Sequence, residues 1–297
     1  VEDKDVVGTF LSGGLDSTLA VKLILDQGLE VYLLNFITPF CTCTRKGCRQ
    51  EARRVAESWQ IPLKVIAVGE EYVEMVKKPA HGYGRNMNPC IDCRIFFLNK
   101  AKEYMQEIGG SFIFTGEVLG QRPMSQRRDA MRTIERESGL EGRILRPLSA
   151  KLLEPTIPET EGLVNREELL SIRGRSRKPQ MALADKLGVS DYPCPAGGCR
   201  LTEPNFSRRL KEGFRHGEES LRDIHLLRYG RHFRLPVGKK LIVGRDKEEN
   251  SVLASLAQKG DLLMEVLEFG SPVALLRRPE DSLGLGLAAS ICSRYSD

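Results

Sequence analysis

A glycine-rich turn near the amino end of the chain constrains its fold more than any other feature. An apolar run at residues 6–11 predicts a buried strand, and residues 18–27 predict a helix that Gly28 ends. Between the two stands the hexapeptide Ser12-Gly13-Gly14-Leu15-Asp16-Ser17. Backbone N–H groups at such a helix start, together with the helix dipole, attract an anion. The sequence therefore predicts a phosphate-binding turn, and it is not a Walker loop because no lysine follows the second glycine.

The same hexapeptide resembles the SGGxDS signature of the PP-loop ATP pyrophosphatases, and it stands after the first strand, where that family has it. The resemblance implies an adenine nucleotide alpha hydrolase-like fold and cleavage of ATP between its α and β phosphates. It also implies four hydrogen-bond donors for the departing pyrophosphate, which are Ser12, Gly13, Gly14 and Ser17. Asp16, a carboxylate beside a polyanion, would then hold Mg²⁺.

Strands and helices alternate through the first half of the chain. Further strands are predicted over residues 31–36, 63–68 and 111–115, and a helix is predicted over residues 47–59. This alternation predicts an α/β fold with a doubly wound parallel sheet, which binds its ligand at the carboxyl ends of the strands. The predicted nucleotide contacts at and after those strand ends are Asn35, Phe36, Thr115, Gly116 and Gln121.

Several segments resemble enzymes that place sulfur on tRNA bases. Residues 115–121, followed by Ser125-Gln126, resemble TGExLGQ…SQ of the tRNA 4-thiouridine synthetases, and Leu145-Arg146-Pro147-Leu148 resembles their RPL step. Asn88-Pro89-Cys90-Ile91-Asp92-Cys93 resembles NPCxxC of the tRNA 2-thiouridylases. Cys199 stands where both groups keep a second reactive cysteine. The likeness covers roughly residues 5–210 and implies an ATP-dependent tRNA sulfurtransferase, which adenylates a base carbonyl and replaces its oxygen with sulfur.

The chain has eight cysteines and no secretory signal opens it, so we expect metal, cluster or catalytic roles for them rather than a disulfide framework. Replacement of an activated oxygen needs a sulfur donor beside it, which thiolates can provide. Two routes are open for Cys90, Cys93 and Cys199. Either one thiol carries a persulfide that another resolves, or all three bind a [4Fe-4S] cluster whose open iron holds a sulfide. Cys194 competes with Cys199 for the third position.

Zinc is the alternative metal, because a CxxC pair suits it equally well and Cys194 and Cys199 could complete a Cys₄ site. A structural zinc site of that kind would fit the alternative enzyme, a PP-loop ligase that forms an amide or nitrile on a small molecule. Cys41, Cys43 and Cys48 show no recognisable spacing. They could relay a persulfide, bind a second metal or do neither.

The basic surplus of the chain lies toward its carboxyl end. The net charge is +5, and residues 200–240 hold eleven basic against five acidic side chains, which suggests contact with a polyanion. Residues 235–297 resemble the RNA-binding domain of the NFACT proteins, beginning with Gly238-Lys239-Lys240-Leu241-Ile242-Val243-Gly244-Arg245-Asp246. We therefore predict a PP-loop thiolation domain over residues 1–212 and a smaller α+β, NFACT-like domain over residues 213–297. The non-enzymatic alternative is an RNA-binding adaptor with a vestigial nucleotide fold.

No apolar run approaches the ~20 residues that a membrane span needs, so we expect a cytoplasmic protein that does not associate with membranes. The expected macromolecular partner is tRNA. No sulfur-carrier domain is recognisable in the chain, so sulfur is expected to come from free sulfide or from a sulfur-carrier protein. The family resemblance also suggests a homodimer.

Overall fold

The computed structural model describes residues 5–8, 14–42, 48–189, 199–279 and 284–296. Contacts within the chain divide it into two compact units, Val1–Thr202 and Glu203–Asp297. The predicted domain boundary after residue 212 falls inside a helix, Pro204–Arg215, of the second unit. Of the residues that the sequence analysis singles out, Ser12, Gly13, Cys43 and Cys194 lie outside the described residues.

A parallel sheet of short strands forms the centre of the first unit. Its strands are β1 (Asp5–Gly8), β2 (Glu30–Ile37), β3 (Leu63–Ala67), β4 (Ile113–Phe114) and β5 (Ile144–Leu145). They lie in the order β3-β2-β1-β4-β5, and every neighbouring pair runs parallel. The direction in which strands are added changes at β1. The carboxyl ends of β1 and β4 therefore flank the topological switch point, where sheets of this kind bind their ligands.

Helices cover both faces of this sheet. The helices of the first unit are α1 (Leu15–Leu25), α2 (Cys48–Ser58), α3 (Glu70–Lys77), α4 (Cys90–Glu107), α5 (Arg128–Ser138), α6 (Ile157–Thr160) and α7 (Lys178–Lys186). Short 3-10 helices lie at Ala150–Leu152, Arg166–Glu168 and Arg200–Thr202. Successive residues of β2 pack on opposite faces, since Leu33 joins the cluster of α1 and α2 and Leu34 joins that of α4 and α5. The predicted doubly wound parallel sheet is confirmed.

The second unit has an antiparallel sheet. Its strands are β6 (Arg231–Arg234), β7 (Lys240–Val243), β8 (Leu262–Met264) and β9 (Ala274–Leu276), in the order β6-β7-β9-β8. Its helices are α8 (Pro204–Arg215), α9 (Leu221–Leu226), α10 (Lys247–Leu256) and α11 (Leu285–Arg294), with a 3-10 helix at Pro236–Gly238. Leu241 packs with Ala288 of α11, whereas Ile242 packs with Leu253 of α10. The α+β character predicted for this part of the chain is confirmed.

Among the described helices of both units, none combines the length and apolar character that crossing a bilayer requires.

Candidate active site

The start of α1 and the loop after β4 meet at the switch point. Gly14 stands at the N-cap of α1, and its carbonyl accepts hydrogen bonds from the Thr18 amide at 3.1 Å and the Ser17 hydroxyl at 2.9 Å. Gly116 lies so close to this helix start that a Cβ on it would stand 2.5 Å from the nitrogen and Cα of Ser17. A side chain at Gly116 would therefore push the two segments apart. The glycine keeps the TGE segment directly against the predicted phosphate-binding turn.

Asp16 lies in the first turn of α1 and is held by the loop after β4. Gln121 Nε2 donates a hydrogen bond to Asp16 Oδ2 at 3.1 Å. Asp16 Oδ1 is buried and has no hydrogen-bond partner within the described part of the chain. A buried carboxylate oxygen without a partner costs free energy unless a ligand binds it. This oxygen fits the role predicted for Asp16, because Mg²⁺ takes oxygen ligands.

The loop that carries Gln121 is closed on itself. The Gly120 amide donates to the Gln126 carbonyl at 2.6 Å, and the Arg122 amide donates to Gln126 Oε1 at 2.9 Å. Ser125 and Gln126 are both buried. The SQ pair of the TGExLGQ…SQ segment therefore fixes the shape of the loop, and with it the positions of Gln121 and Arg122.

A buried carboxylate links this loop to α4 and to the loop after β5. Glu117 Oε1 lies 3.3 Å from Arg94 Nε, and Glu117 Oε2 lies 3.1 Å from Arg146 Nε. Arg146 also forms an ion pair with Glu135 of α5. Burial opposes ionisation of Glu117, but Arg94 and Arg146 outweigh it and lower the pKa of its carboxyl group. We refer to Glu117, Arg94, Arg146 and Glu135 as the Glu117 network.

The predicted cysteine triad is brought together near this network. Cys90 and Cys93 lie in the first turn of α4, and Cys199 pairs with Cys41 in an isolated antiparallel bridge. The bridge places Cys41 opposite Cys199, and Cys93, Cys90 and Cys41 all raise the pKa of the Cys199 thiol. Cys41, Cys90, Cys93 and Cys199 are all partly buried. Their proximity gives the site several thiols in one place, while their chemical roles stay predictions.

Burial raises the pKa of each thiol of the triad. It raises the pKa of Cys93 to about 11 although the Tyr72 hydroxyl lies 3.0 Å from its sulfur, and it raises that of Cys199 to about 12. Burial also raises the pKa of Cys90, against the lowering influence of Arg94 and Arg122. These surroundings keep the thiols protonated at rest, and the two arginines favour the thiolates of Cys90 and Cys93.

Arg122 connects the thiols with the predicted nucleotide end of the site. Burial and the charge of Arg94 lower the pKa of Arg122, whereas the charges of Cys90, Asp16 and Glu117 raise it. Arg122 is therefore within electrostatic range of a candidate sulfur-handling thiol and of the candidate magnesium ligand.

Sequence reasoning missed Arg94, Arg122 and Tyr72. Two of them had a signal, because Arg94 directly follows the CxxC pair and Arg122 directly follows Gln121. Tyr72 stands on α3, far from any motif, and only the tertiary fold brings its hydroxyl to Cys93.

The remaining predicted nucleotide contacts lie at strand ends. Asn35 is buried near the end of β2, and the ring of Phe36 stacks on Phe97 of α4 with centroids 4.7 Å apart. Thr115 is buried directly after β4, and its hydroxyl lies 3.4 Å from Glu117 Oε2. Phe36 is thus engaged with another aromatic ring, and nucleotide contact by these three residues stays a prediction.

The thiols are neighbours, but they do not form a metal site as they stand. No group of three or more His, Cys, Asp or Glu side chains within the described ranges is arranged to hold a metal ion. Cys93 instead shares a hydrogen bond with Tyr72. The [4Fe-4S] cluster predicted for Cys90, Cys93 and Cys199 is therefore not shown, and the zinc alternative also involves Cys194, which lies outside the described residues. Both stay predictions, and no chemical step is assigned to either.

Curated relatives resemble part of the chain. The tRNA-specific 2-thiouridylase MnmA 2 of Clostridium botulinum (strain Loch Maree / Type A3) is 32% identical over an alignment of 124 residues, and the match covers 38% of this chain and 34% of that protein. The tRNA-specific 2-thiouridylase MnmA of Leptospira biflexa serovar Patoc is 31% identical over an alignment of 130 residues, and the match covers 39% of this chain and 34% of that protein. The chain thus spans about a third of the length of these relatives.

Solved structures resemble it more distantly. NMN synthetase from Francisella tularensis gives a TM-score of 0.43 at 15% identity, over 75% of this chain and 84% of that one. A 4-thiouridine synthetase in complex with RNA and bound ATP gives a TM-score of 0.43 at 19% identity, over 75% of this chain and 52% of that one. Likenesses of this extent do not bear on what the chain does.

Two family models match separate parts of the chain. Residues 230–297 match the model described as NFACT protein RNA binding domain, as their resemblance predicts. Residues 3–152, half of the chain, match the model described as Thiamine biosynthesis protein (ThiI), and this stretch contains the glycine turn, the CxxC pair and the TGExLGQ segment. The protein therefore belongs to the ThiI family of PP-loop proteins.

Proposed function

We propose that this protein is an ATP-dependent tRNA sulfurtransferase, which adenylates a carbonyl oxygen of a base and replaces it with sulfur. The observation that carries the proposal is that the loop after β4 contacts both the candidate magnesium ligand and the helix of the thiols. Gln121 of this loop binds Asp16 at 3.1 Å, and Glu117 lies 3.3 Å from Arg94, the residue next to Cys93 in α4. A site that activates an oxygen with ATP and then delivers sulfur needs its magnesium ligand and its thiols close together. Membership of the ThiI family and the likeness to tRNA thiouridylases give the proposal independent support.

In the first half-reaction the base oxygen attacks the α phosphate of ATP and pyrophosphate leaves. The amino end of α1 supplies backbone N–H groups and a positive dipole end for the departing anion. Gln121 orients Asp16 through their 3.1 Å hydrogen bond, which leaves Asp16 Oδ1 for a cation. Mg²⁺ bound there would neutralise charge that develops on the phosphates. Arg122 adds a fixed positive charge beside the same anion.

In the second half-reaction sulfur attacks the carbon that carries the adenylate, and AMP leaves. Cys90 and Cys199 are the candidate sulfur-handling residues, with Cys93 held by Tyr72 beside them. Arg94 and Arg122 favour the thiolate of Cys90, the form that acts as a nucleophile. The Glu117 network fixes Arg94, so this part of the site is ready before a substrate binds.

Contact with tRNA is assigned mainly to the second unit. Its match to an RNA-binding domain model is joined by exposed basic side chains at helical spacing on α8, which are Arg208, Lys211 and Arg215. Such a stripe binds phosphates without reading sequence, and it should weaken as salt rises. The sulfur donor, free sulfide or a sulfur-carrier protein, and a homodimer complete the proposal, which assigns the reaction to the cytoplasm.

The decisive test supplies the full chain with labelled ATP, tRNA from cells that lack this protein, and sulfide or a persulfide donor. We expect AMP, pyrophosphate and one new thionucleoside, identified by mass spectrometry of the digested tRNA. Asp16→Asn should abolish both products, whereas the matched variant Asp26→Asn at the far end of α1 should keep them, because Asp26 pairs with Lys22 on the surface. AMP formation without any thionucleoside would overturn the proposal in favour of the small-molecule ligase.

The sulfur source has a separate test. Protein purified without oxygen that is brown and contains iron and sulfide would favour the cluster route on Cys90, Cys93 and Cys199. Colourless protein that forms a persulfide under the same conditions would favour the thiol route. Colourless protein with stoichiometric zinc would instead favour a structural site.

A further inference from the structure

Cys41 and Cys199 lie directly opposite each other, although neither belongs to a long strand. They form an isolated antiparallel bridge, and the Arg200 amide donates to the Phe40 carbonyl at 3.0 Å. A hydrogen bond between the residues that flank the pair marks it as the narrow, non-hydrogen-bonded kind. In such pairs the Cα atoms are about 4.5 Å apart, which is within the range that disulfides span.

Hydrogen bonds from the residues that follow Cys199 hold it in place opposite Cys41. The Leu201 amide donates a hydrogen bond to the Cys199 sulfur, and the Thr202 amide and hydroxyl both donate to the Cys199 carbonyl, at 2.9 and 2.7 Å. The electrostatic influence of Cys90, Cys93 and Cys41 reaches this one thiol. Cys199 therefore faces Cys41 directly, while the Cys93 thiol shares a hydrogen bond with Tyr72.

We propose that Cys41 is a further sulfur-handling residue, the thiol that resolves the covalent intermediate on Cys199 by forming a Cys41–Cys199 disulfide. The inference rests on the proposed function and assigns a role that the motifs do not give, because Cys41 belongs to none of them. In this proposal Cys199 carries the persulfide and Cys41 resolves the adduct.

The reaction proceeds through a covalent adduct between Cys199 and the base. A persulfide donor leaves a sulfane sulfur on Cys199, and this terminal sulfur attacks the adenylated carbon, so that a C–S bond forms and AMP departs with the base oxygen. The base is then joined to Cys199 through a disulfide. The Cys41 thiol attacks the Cys199 sulfur and loses its proton, the bond between the two sulfurs of the adduct breaks, and the electron pair and a proton go to the thiolated base. An external dithiol then reduces the Cys41–Cys199 disulfide with two electrons and two protons.

The pairing is tested first without RNA. The full chain is oxidised mildly with diamide, alkylated and digested without reduction, and the linked peptides are identified by mass spectrometry. We expect a Cys41–Cys199 peptide that is lost in Cys41→Ser and kept in the matched variants Cys43→Ser and Cys48→Ser. A predominant link from Cys199 to Cys43, Cys48, Cys90 or Cys194 would overturn the pairing.

The chemical role is tested by a single turnover with persulfide-loaded protein, ATP and tRNA, without a dithiol. Cys41→Ser should release thionucleoside on the order of 10² more slowly than wild type, because an intramolecular thiol is lost. It should also accumulate tRNA bound covalently to Cys199, which dithiothreitol frees. Circular dichroism and the fluorescence of Trp59 check that the variant is folded.

The possible failures are distinguishable. If the wild-type chain forms AMP but neither thionucleoside nor covalent tRNA, the proposed function fails, and the peptide map still decides the pairing. If wild type makes thionucleoside and Cys41→Ser releases it at the wild-type rate without an adduct, the role of Cys41 alone is overturned.

Discussion

Glu117 in the first unit and Glu212 in the second each bind at least two basic side chains, yet the two clusters join different kinds of element. Glu117 connects Arg94 of α4 with Arg146, next to the thiols, and its side chain is 5% exposed. Glu212 of α8 binds Arg234 of β6 and, at 2.9 Å, Lys240 of β7, and its side chain is 29% exposed. The Glu117 network fixes loops around a site, whereas the cluster around Glu212 holds a helix against a sheet.

This comparison changes how the basic run of the sequence is interpreted. Arg234 and Lys240 share Glu212 and Glu218, and Arg222 pairs with Asp261. Part of the surplus between residues 200 and 240 is therefore used inside the second unit. The exposed basic side chains on α8, Arg208, Lys211 and Arg215, remain available to bind a polyanion. A count of charges cannot separate these two uses, because it does not record which side chains face a carboxylate.

The largest expected effect on stability comes from a change in the Glu117 network. Glu117→Gln leaves the buried Arg146 and the partly buried Arg94 beside a neutral amide and should lower the free energy of unfolding by about 3–5 kcal/mol. Guanidinium unfolding followed by Trp59, the one tryptophan of the chain, reports on this unit because Trp59 packs against its core. The control Glu107→Gln, whose partner Lys64 is on the surface, should change stability by less than about 1 kcal/mol. Equal effects of the two substitutions would contradict the distinction.

Gly116→Ala should come next. The added Cβ would stand 2.5 Å from backbone atoms of Ser17, so the loop after β4 must move away from α1. A displacement near 1 Å should reduce ATP-to-AMP turnover by about 10². Gly286→Ala in α11 is the matched control, because a Cβ there meets nothing within 4 Å. Unchanged turnover in Gly116→Ala would show that the close approach does not position the site.

A pH effect is expected on the stability of the second unit. His232 faces Lys240, Arg209 and Glu212, and burial followed by the charge of Lys240 lowers its pKa from 6.5 to about 3. Below pH 6.5 the unfolded chain binds a proton that the folded unit does not, so stability falls as pH decreases toward 3, by up to about 1.4 kcal/mol per pH unit.

Urea unfolding at several pH values, followed by circular dichroism, measures how the free energy of unfolding changes with pH. The fluorescence of Trp59 reports on the first unit in the same samples. His232→Gln should flatten the dependence. An identical slope in that variant would assign the pH effect to other groups.

Glu212→Gln should cost less than Glu117→Gln, about 1–2 kcal/mol, because water reaches its ion pairs. Burial opposes ionisation, but hydrogen bonds from Arg234 and Lys240 lower the pKa of Glu212 to about 2. Its contribution is therefore present above pH 4.5 and is lost as pH falls from 4.5 to about 2. ATP turnover should be unchanged, and Glu248→Gln on the exposed side of α10 is the control. A loss of turnover in Glu212→Gln would remove the contrast between the clusters.

The smallest effect concerns the α8 stripe. Lys211→Gln should weaken tRNA binding about two- to five-fold and reduce the slope of log K against log salt by about 0.7–1, without loss of stability. Filter binding across a salt series measures both quantities. Lys247→Gln, exposed on α10, is the matched control. A stronger effect from the control would move the RNA contact to another face.

Local sequence patterns predicted most of the fold. Apolar runs located β1, β2 and β3 and the helices after the first two, because each buried segment is continuous in sequence. The run at residues 111–115 marked β4, although only Ile113–Phe114 pairs as a strand. The edge strand β5, two residues long, has no periodicity of its own, and only its motif drew attention to it.

The site was less accessible to sequence reasoning. Motifs indicated Asp16, Gln121, Cys90 and Cys199, whereas the contacts among them depend on how distant loops pack. The bridge between Cys41 and Cys199 joins residues far apart in the chain that have no shared pattern. Arg146 was seen as part of a motif, but its pairing with Glu117 needs the order of the strands β4 and β5 in the sheet.

The burial of Cys93 and Cys199 has a consequence for timing. Under the proposed function, a reactive sulfur atom stored on one of these partly buried thiols is less open to hydrolysis and to small oxidants than one on the surface. An enzyme of this kind could be charged in advance and wait for its nucleic acid, so that the supply of sulfur and the demand for modified RNA would not have to coincide.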